Sequence, residues 1–311
     1  MGRALLISAG TIAALLAPLL LGSYFLEIVN IAILNAMLVL GLNFVTGWTG
    51  QINSGQAAFY GIGAYTTAIA TRAGAPWLAA SLLSALAAAA ASLALGLPTL
   101  RLRRSYPAMA TIGFGEILRL ILVHWEPVTG GSSGLRHIAG IAIGPLAPDG
   151  QTQHYYLLLA ALALATVAAM RIRGSWLGRA MIATRDSEIA AELSGVDTVR
   201  TKLLAFMIGA IYAGLAGSFY ASYIGYISPD TFTNRQAVLL FTMLIVGGTG
   251  SIPGAVIGAF ALTILPELLR FLGQWYLVIY GVGVIAVIIL APGGMAAILP
   301  RLVRRPAERR R

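Results

Sequence analysis

The sequence predicts an all-α polytopic membrane protein, and two observations carry that expectation. Of its 311 residues, 58% are hydrophobic and only 10% charged, with a mean hydropathy of +0.83; globular domains carry about 25% charged residues. Several apolar runs also reach the roughly 20 residues that a bilayer-spanning helix needs. This composition excludes a soluble enzyme, a secreted disulfide scaffold and a disordered chain. With no cysteine in the chain, thiolate catalysis and Cys-ligated zinc are excluded as well. The three histidines (His124, His137, His154) form no cluster in the sequence, so no metal or other cofactor is expected.

Ten apolar segments are expected as crossings, at roughly 4–24, 28–46, 57–72, 76–98, 106–125, 155–170, 203–223, 236–248, 254–270 and 275–291. The segments at 57–72 and 236–248 are short for a span. Lys and Arg accumulate in cytoplasmic loops. With Arg3 inside, ten crossings place 16 basic residues in the cytoplasm and four outside (Arg72, Arg136, Arg235, Arg270), with Arg119 inside a span. Both termini are therefore expected on the cytoplasmic side. This rule also accounts for 21 Lys+Arg against 11 Asp+Glu, so no nucleic-acid partner is invoked. A signal peptide competes for the first segment, but its apolar core from Ala4 to Leu21 is long for one and no small-x-small site follows. A single transmembrane domain over 1–300 is expected, with an external loop at 126–153, a cytoplasmic loop at 171–202 and a basic tail at 301–311.

Polar residues interrupt the apolar pattern in two places. The first, Asn43-Phe-Val-Thr-Gly-Trp-Thr-Gly-Gln-Ile-Asn-Ser-Gly-Gln56, alternates glycines with amides and hydroxyls and has no charge. Backbone at membrane depth must be satisfied internally, be buried in protein or line a wet cavity. A broken, re-entrant element is expected here, with Asn43, Gln51, Asn53, Ser54 and Gln56 along a polar path; a plain cytoplasmic loop is the alternative. The second, Thr111-Ile-Gly-Phe-Gly-Glu-Ile-Leu-Arg119, places Glu116 and Arg119 at i,i+3, where they can pair. Thr111, Phe114 and Glu116 are expected to line the same path. The competing readings are a self-neutralising pair and proton coupling through Glu116. Other glycines, including Gly209, Gly214, Gly217 and Gly258, are expected as helix-packing devices. Thr49-Gly-Gln-Ile52 recurs as Thr249-Gly-Ser-Ile252, a hint of an internal repeat that carries no argument alone.

Between spans, Arg185 to Gly195 reads as a short helix. Asp186 or Ser187 can cap its start, Gly195 can close it, and Ile189 and Leu193 form a small apolar stripe at i,i+4. Such a helix is either a solvated connector or a handle for a cytoplasmic partner. The pattern G-x-x-x-x-G-K-[ST] is absent and Lys202 is the only lysine, so the chain has no such nucleotide site of its own. It also lacks a Gly-x-Ser-x-Gly elbow and an acid pair at catalytic spacing, so it is not expected to be an enzyme.

From about Asn35 to Pro292 the sequence resembles the permease subunits of ATP-binding-cassette importers for branched-chain amino acids. The blocks that carry the resemblance are Gly41-Leu-Asn43 through Gly50-Gln51 to Gly61-Ile-Gly-Ala-Tyr65, Thr111 to Arg119 with Thr129-Gly-Gly131, Arg185 to Gly195 with Lys202-Leu-Leu-Ala-Phe206, Ser228-Pro229-Asp230 and Gly247-Gly-x-Gly250. Gln56 stands where a histidine is frequent, Ile189 where an acid is common, and Pro292-Gly-Gly294 lacks an arginine often found there. The resemblance implies a large importer-permease fold, often termed type II, of about ten helices in a bacterial plasma (inner) membrane. It implies four further partners: a second homologous permease, two cytoplasmic ATPases and a periplasmic or extracellular solute-binding protein. It also implies a small amino-acid substrate and ATPase coupling through Arg185, Glu188, Ala190, Ala191 and Gly195. Permeases for urea or short amides look similar over the same blocks, and an ion-coupled secondary transporter is the rival from another class.

Overall fold

The structure, a computed structural model, describes residues 17–18, 22–99, 106–142, 148, 150–290 and 293–295. Most of the expected first span, Arg101, Arg103 and Arg104, and the tail at 301–311 lie outside the described residues. The other nine apolar segments are helical: α1 (Ser23–Leu42), α2 (Gln56–Arg72), α3 (Trp77–Thr99), α4 (Tyr106–His124), α6 (Gln151–Gly174), α9 (Thr198–Ile224), α10 (Asn234–Gly247), α11 (Ile252–Leu268) and α12 (Tyr276–Leu290). Between them lie a single turn, α5 (Glu126–Thr129), and two shorter helices, α7 (Trp176–Asp186) and α8 (Glu188–Leu193).

Among the described residues four stretches are long and apolar enough to cross a bilayer: Ser23–Trp48, Trp77–Pro98, Gln151–Gly174 and Thr198–Ile224. α4 and the turn after it form a pair bent by 84° at Trp125, while α10 and α11 are shorter apolar helices. The chain is an all-α multi-pass membrane protein, and the only sheet among the described residues is a two-residue antiparallel ladder. That ladder pairs β1 (Leu135–Arg136) with β2 (Tyr226–Ile227). It ties the segment after α4 to the segment after α9.

A helix that is apolar all round belongs in the middle of a protein, and α1 is that helix. Ile33, Leu34, Leu38 and Leu40 on its different faces are all buried, and α6, α9, α10 and α11 pack around it. Two buried amides on α1 reach across to other helices. Asn30 Nδ2 donates to the Tyr223 hydroxyl at 3.1 Å, and Asn35 Nδ2 to Thr263 Oγ1 at 3.0 Å. In an apolar surround such interhelical bonds fix register. On its other side α9 packs against α2 and α3. Contact is close where Gly63 meets Gly214: a Cβ on Gly63 would lie 2.3 Å from the Gly214 carbonyl oxygen, so only glycine permits this approach of backbones.

The segment at 126–153 is more regular than expected. Pro127 sits in the first turn of α5, where its missing N–H costs no helical bond, and α6 begins at Gln151 rather than near 155.

Candidate functional site

Three polar zones interrupt the apolar body. The first is the junction between α1 and α2. α1 runs on into a π-helical turn, Asn43–Trp48, and the chain is then non-helical to Gly55; π-turns recur at functional positions. Asn43, Asn53, Gln56 and Thr111 are all buried. Gln56 Nε2 donates to the carbonyls of Leu38 and Gly209, both at 3.1 Å, which ties the start of α2 to α1 and α9. Asn53 Nδ2 donates to Gln56 Oε1 at 3.4 Å, and Asn53 Oδ1 accepts from Gly55 N at 2.9 Å. Ser54 N donates to Thr111 Oγ1 at 3.1 Å, which fastens the junction to α4. Gln51 and Ser54 are half-buried, and Gln51 Oε1 has no partner. The amides of this zone therefore chiefly satisfy protein groups, in keeping with the demand on backbone away from water.

The second zone joins that junction to the turn between α10 and α11. Gly250 N donates to Asn43 Oδ1 at 2.8 Å, and Trp48 Nε1 donates to the Gly250 carbonyl at 3.1 Å. Arg185, at the end of α7, donates from Nη1 to the Gly47 carbonyl at 2.8 Å. Gly50 and Gly250 both have positive φ, +72° and +81°. Both also touch this arginine: a Cβ on Gly50 would lie 3.0 Å from Arg185 Cγ, and one on Gly250 2.9 Å from Arg185 Nη1. The two copies of the Thr-Gly-x-Ile pattern thus meet in space with Arg185 against both. The sequence offered the similarity of the two strings only as a hint, and it gave no sign of the arginine between them.

Beyond Arg185 the chain turns through Ser187 into α8. Ser187 Oγ accepts from Ala190 N at 3.3 Å as the N-cap. At the other end Gly195 N donates to Glu192 O and Val196 N to Ala191 O, with Gly195 at φ +82°. This pair of bonds is a Schellman close, which favours glycine at that position. Glu188 pairs with Lys202 of α9, and Ala191 is buried, whereas Ala190 and Gly195 are exposed. Ile189 and Leu193 are 74% and 86% exposed, an apolar pair that the described residues leave uncovered.

The third zone lies along α4. Phe114 packs on Phe59 with ring centroids 5.6 Å apart. Glu116 and Arg119 form the expected pair, with Arg119 Nε and Nη2 reaching Glu116 Oε1 at 3.0 and 2.9 Å. Asp230, from the 3₁₀ turn Pro229–Phe232, comes within 4.0 Å of Arg119 Nη1. The turn is anchored by Phe232, buried against Tyr60 and Tyr65. Sequence reasoning named Ser228-Pro229-Asp230 only as a motif, and nothing in its spacing placed Asp230 beside Arg119. Glu116 lies about 7.5 Å along the helix axis from Thr111, so the structure does not gather all the expected path residues at one point. No group of three or more His, Asp or Glu suited to a metal occurs among the described residues.

A family model described as the permease component of branched-chain amino acid transport systems matches residues 24–291. The high-affinity branched-chain amino acid transport system permease protein LivM of Escherichia coli strain K12 is 32% identical over 302 residues, which cover 89% of this chain and 71% of that one. Its counterpart in Salmonella typhimurium strain LT2 is 31% identical over 315 residues, 94% and 74% of the two chains. The autoinducer 2 import system permease protein LsrC of Yersinia pseudotuberculosis serotype O:3 is more distant, at 27% over 267 residues, 83% and 74%. No solved structure gives a significant match. On the length of the family match and the identity to LivM, this chain belongs to the family of branched-chain amino acid transport system permease components.

Proposed function

We propose that this chain is the membrane-spanning permease subunit of an ATP-driven importer of leucine, isoleucine and valine. It pairs in a plasma (inner) membrane with a second homologous permease, two cytoplasmic ATPases and an external solute-binding protein. In this reading the chain crosses the bilayer ten times with both termini cytoplasmic, as one transmembrane domain over 1–300. The loop at 126–153 faces outside and the junction at 43–56 is re-entrant. ATP is hydrolysed by the partner ATPases, not by this chain.

The observation that carries the reading is α8 and its mounting. A helix of six residues is marginal alone. Here it is capped at both ends, clipped to α9 through Glu188 and Lys202, and followed back through Arg185 to the α1–α2 junction. Its outward apolar pair, Ile189 and Leu193, fits the groove of a cytoplasmic ATPase. Arg185, Glu188, Ala190, Ala191 and Gly195 are the coupling residues: Arg185 transmits, Glu188 clips, and the alanines and glycine shape the helix. The path runs past Gln51, Ser54, Phe114 and Glu116, with Asn43, Asn53, Gln56 and Thr111 setting the positions of its walls. Binding along it is weak, since a conduit must release what it admits.

The test is reconstitution of the chain with its ATPases and binding protein in proteoliposomes. ATP-dependent uptake of leucine, and not of urea, is expected. Uptake of urea alone, or leucine uptake that needs no ATPase and follows membrane potential, would overturn the reading.

A further inference from the structure

We propose that Glu116, Arg119 and Asp230 together form a transient site for the zwitterionic head of the transported amino acid, which rests on the proposed function and deepens it. The three charges alternate in sign, and the arrangement leaves bonding capacity. Arg119 directs two nitrogens to a single oxygen, Glu116 Oε1, so among the described residues Glu116 Oε2 carries no hydrogen bond. The 4.0 Å separation of Arg119 Nη1 from Asp230 is too long for a hydrogen bond, so Nη1 also has a proton to give. The cluster holds two acids and one base. An α-amino acid supplies the missing cation in its ammonium, and a carboxylate suited to the guanidinium.

The surroundings fit the rest of such a molecule. The three side chains are not sealed in the core: Glu116 is 43%, Arg119 31% and Asp230 82% exposed. Charges within an apolar span are costly and in general serve a function. Ile112, Ile117 and Leu120, all exposed, flank the pair on α4 and offer an apolar surface to a branched aliphatic side chain. Asp230 is held where it can act. Pro229 fixes its backbone on one side, and on the other Phe232 is wedged against Gly61, where a Cβ would lie 3.0 Å from the ring. Gly115 lets Asn234, at the start of α10, approach the same stretch of α4. The carboxylate of the solute seats on Arg119 Nη1 and its ammonium on Asp230, with Glu116 holding the guanidinium in place. Because all three side chains remain partly exposed rather than enclosed, occupancy is brief.

The chain has no cysteine, so Leu120→Cys, one helical turn from Glu116, supplies a single thiol beside the site; Ile117→Cys serves if the first variant does not assemble. In the assembled transporter in proteoliposomes, leucine at about ten times its half-protecting concentration is expected to slow alkylation of this thiol by a neutral maleimide on the order of tenfold, by simple mass action. Two analogues with one charge each, 4-methyl-2-oxopentanoate and 3-methylbutylamine, are expected to give no protection at the same concentration. Arg119→Gln or Asp230→Asn on the same background is expected to abolish protection by leucine. Protection unchanged in both variants, or equal protection by the analogues, overturns the site even if ATP-dependent leucine uptake is intact. Loss of that uptake in the transporter carrying the unsubstituted permease instead overturns the proposed function, so the two failures are distinct.

Discussion

Arg185 Nη1 lies 2.8 Å from the carbonyl oxygen of Gly47, a contact between residues 138 apart in the chain. It joins the helix that leads into α8 to the turn that ends α1. A hydrogen bond from a charged donor is worth about 1.5–3 kcal/mol, and the 39% exposure of the arginine side chain favours the lower figure. In the proposed coupling route, a displacement of α8 reaches the junction through this bond as well as through the backbone.

Arg185→Met keeps the apolar stem and removes the donors. The expected outcome is a fall of about tenfold in ATP-dependent uptake, which corresponds to about 1.4 kcal/mol of lost coupling. The ATPases should still co-purify, since Ile189 and Leu193 are untouched. Uptake and co-purification measured on one preparation check this, and a variant that takes up leucine normally removes Arg185 from the coupling route.

Gly195 and Gly250, both at positive φ, separate backbone strain from contact. A non-glycine residue in the left-handed region costs about 1–2 kcal/mol. Gly195→Ala meets only that cost, because no atom lies within 4 Å of its Cβ position. Gly250→Ala meets the cost and also crowds Arg185 Nη1 at 2.9 Å. The fraction of protein surviving a fixed heating step in detergent should therefore fall more for Gly250→Ala than for Gly195→Ala. In the double variant Arg185→Met with Gly250→Ala the two effects should not add, because the methionine no longer presents the crowded nitrogen.

The sequence made most of this fold legible and left its wiring hidden, for physical reasons. Apolar runs of bilayer length declare helices by themselves, and α1, α3, α6 and α9 lie within a few residues of expectation. Ser187 and Gly195 announced the ends of α8 because caps are local chemistry. The amides at 43–56 were ambiguous. An uncharged amide beside glycines can line a wet path or bond a buried carbonyl, and Gln56 is seen to do the second. The meeting of Gly50, Gly250 and Arg185, and the arrival of Asp230 beside Arg119, depend on how distant helices pack. No spacing along the chain encodes that.

Gln56 itself provides a sharp chemical test. Its amide nitrogen donates to two carbonyls in a site with no exposure. Gln56→Glu has the same shape, but ionised it only accepts and faces both carbonyl oxygens with no proton, and protonated, at the cost of taking up a proton, it has one donor for the two. Gln56→Leu loses the bonds, at a cost of about 1–3 kcal/mol, without adding a buried charge. Gln56→Glu should therefore survive heating less well than Gln56→Leu, and both less well than the parent protein. The reverse order would mean that the site is wetter than its burial indicates.

The exposed pair on α8 is the place to separate docking from folding. Ala191 is buried, so a bulky charged residue there disturbs α8 as well as any partner. Ile189 and Leu193 touch little of this chain, so Ile189→Asp and Leu193→Asp should leave the heat survival of the isolated permease within the small range typical of surface changes. If these side chains fill a groove on the ATPase, each substitution removes apolar contact worth about 1.5–3 kcal/mol when fully buried. Co-purification of the ATPases should then drop by at least about tenfold, with uptake falling in parallel. An intact complex with normal uptake in the double variant would assign α8 to the role of a solvated connector.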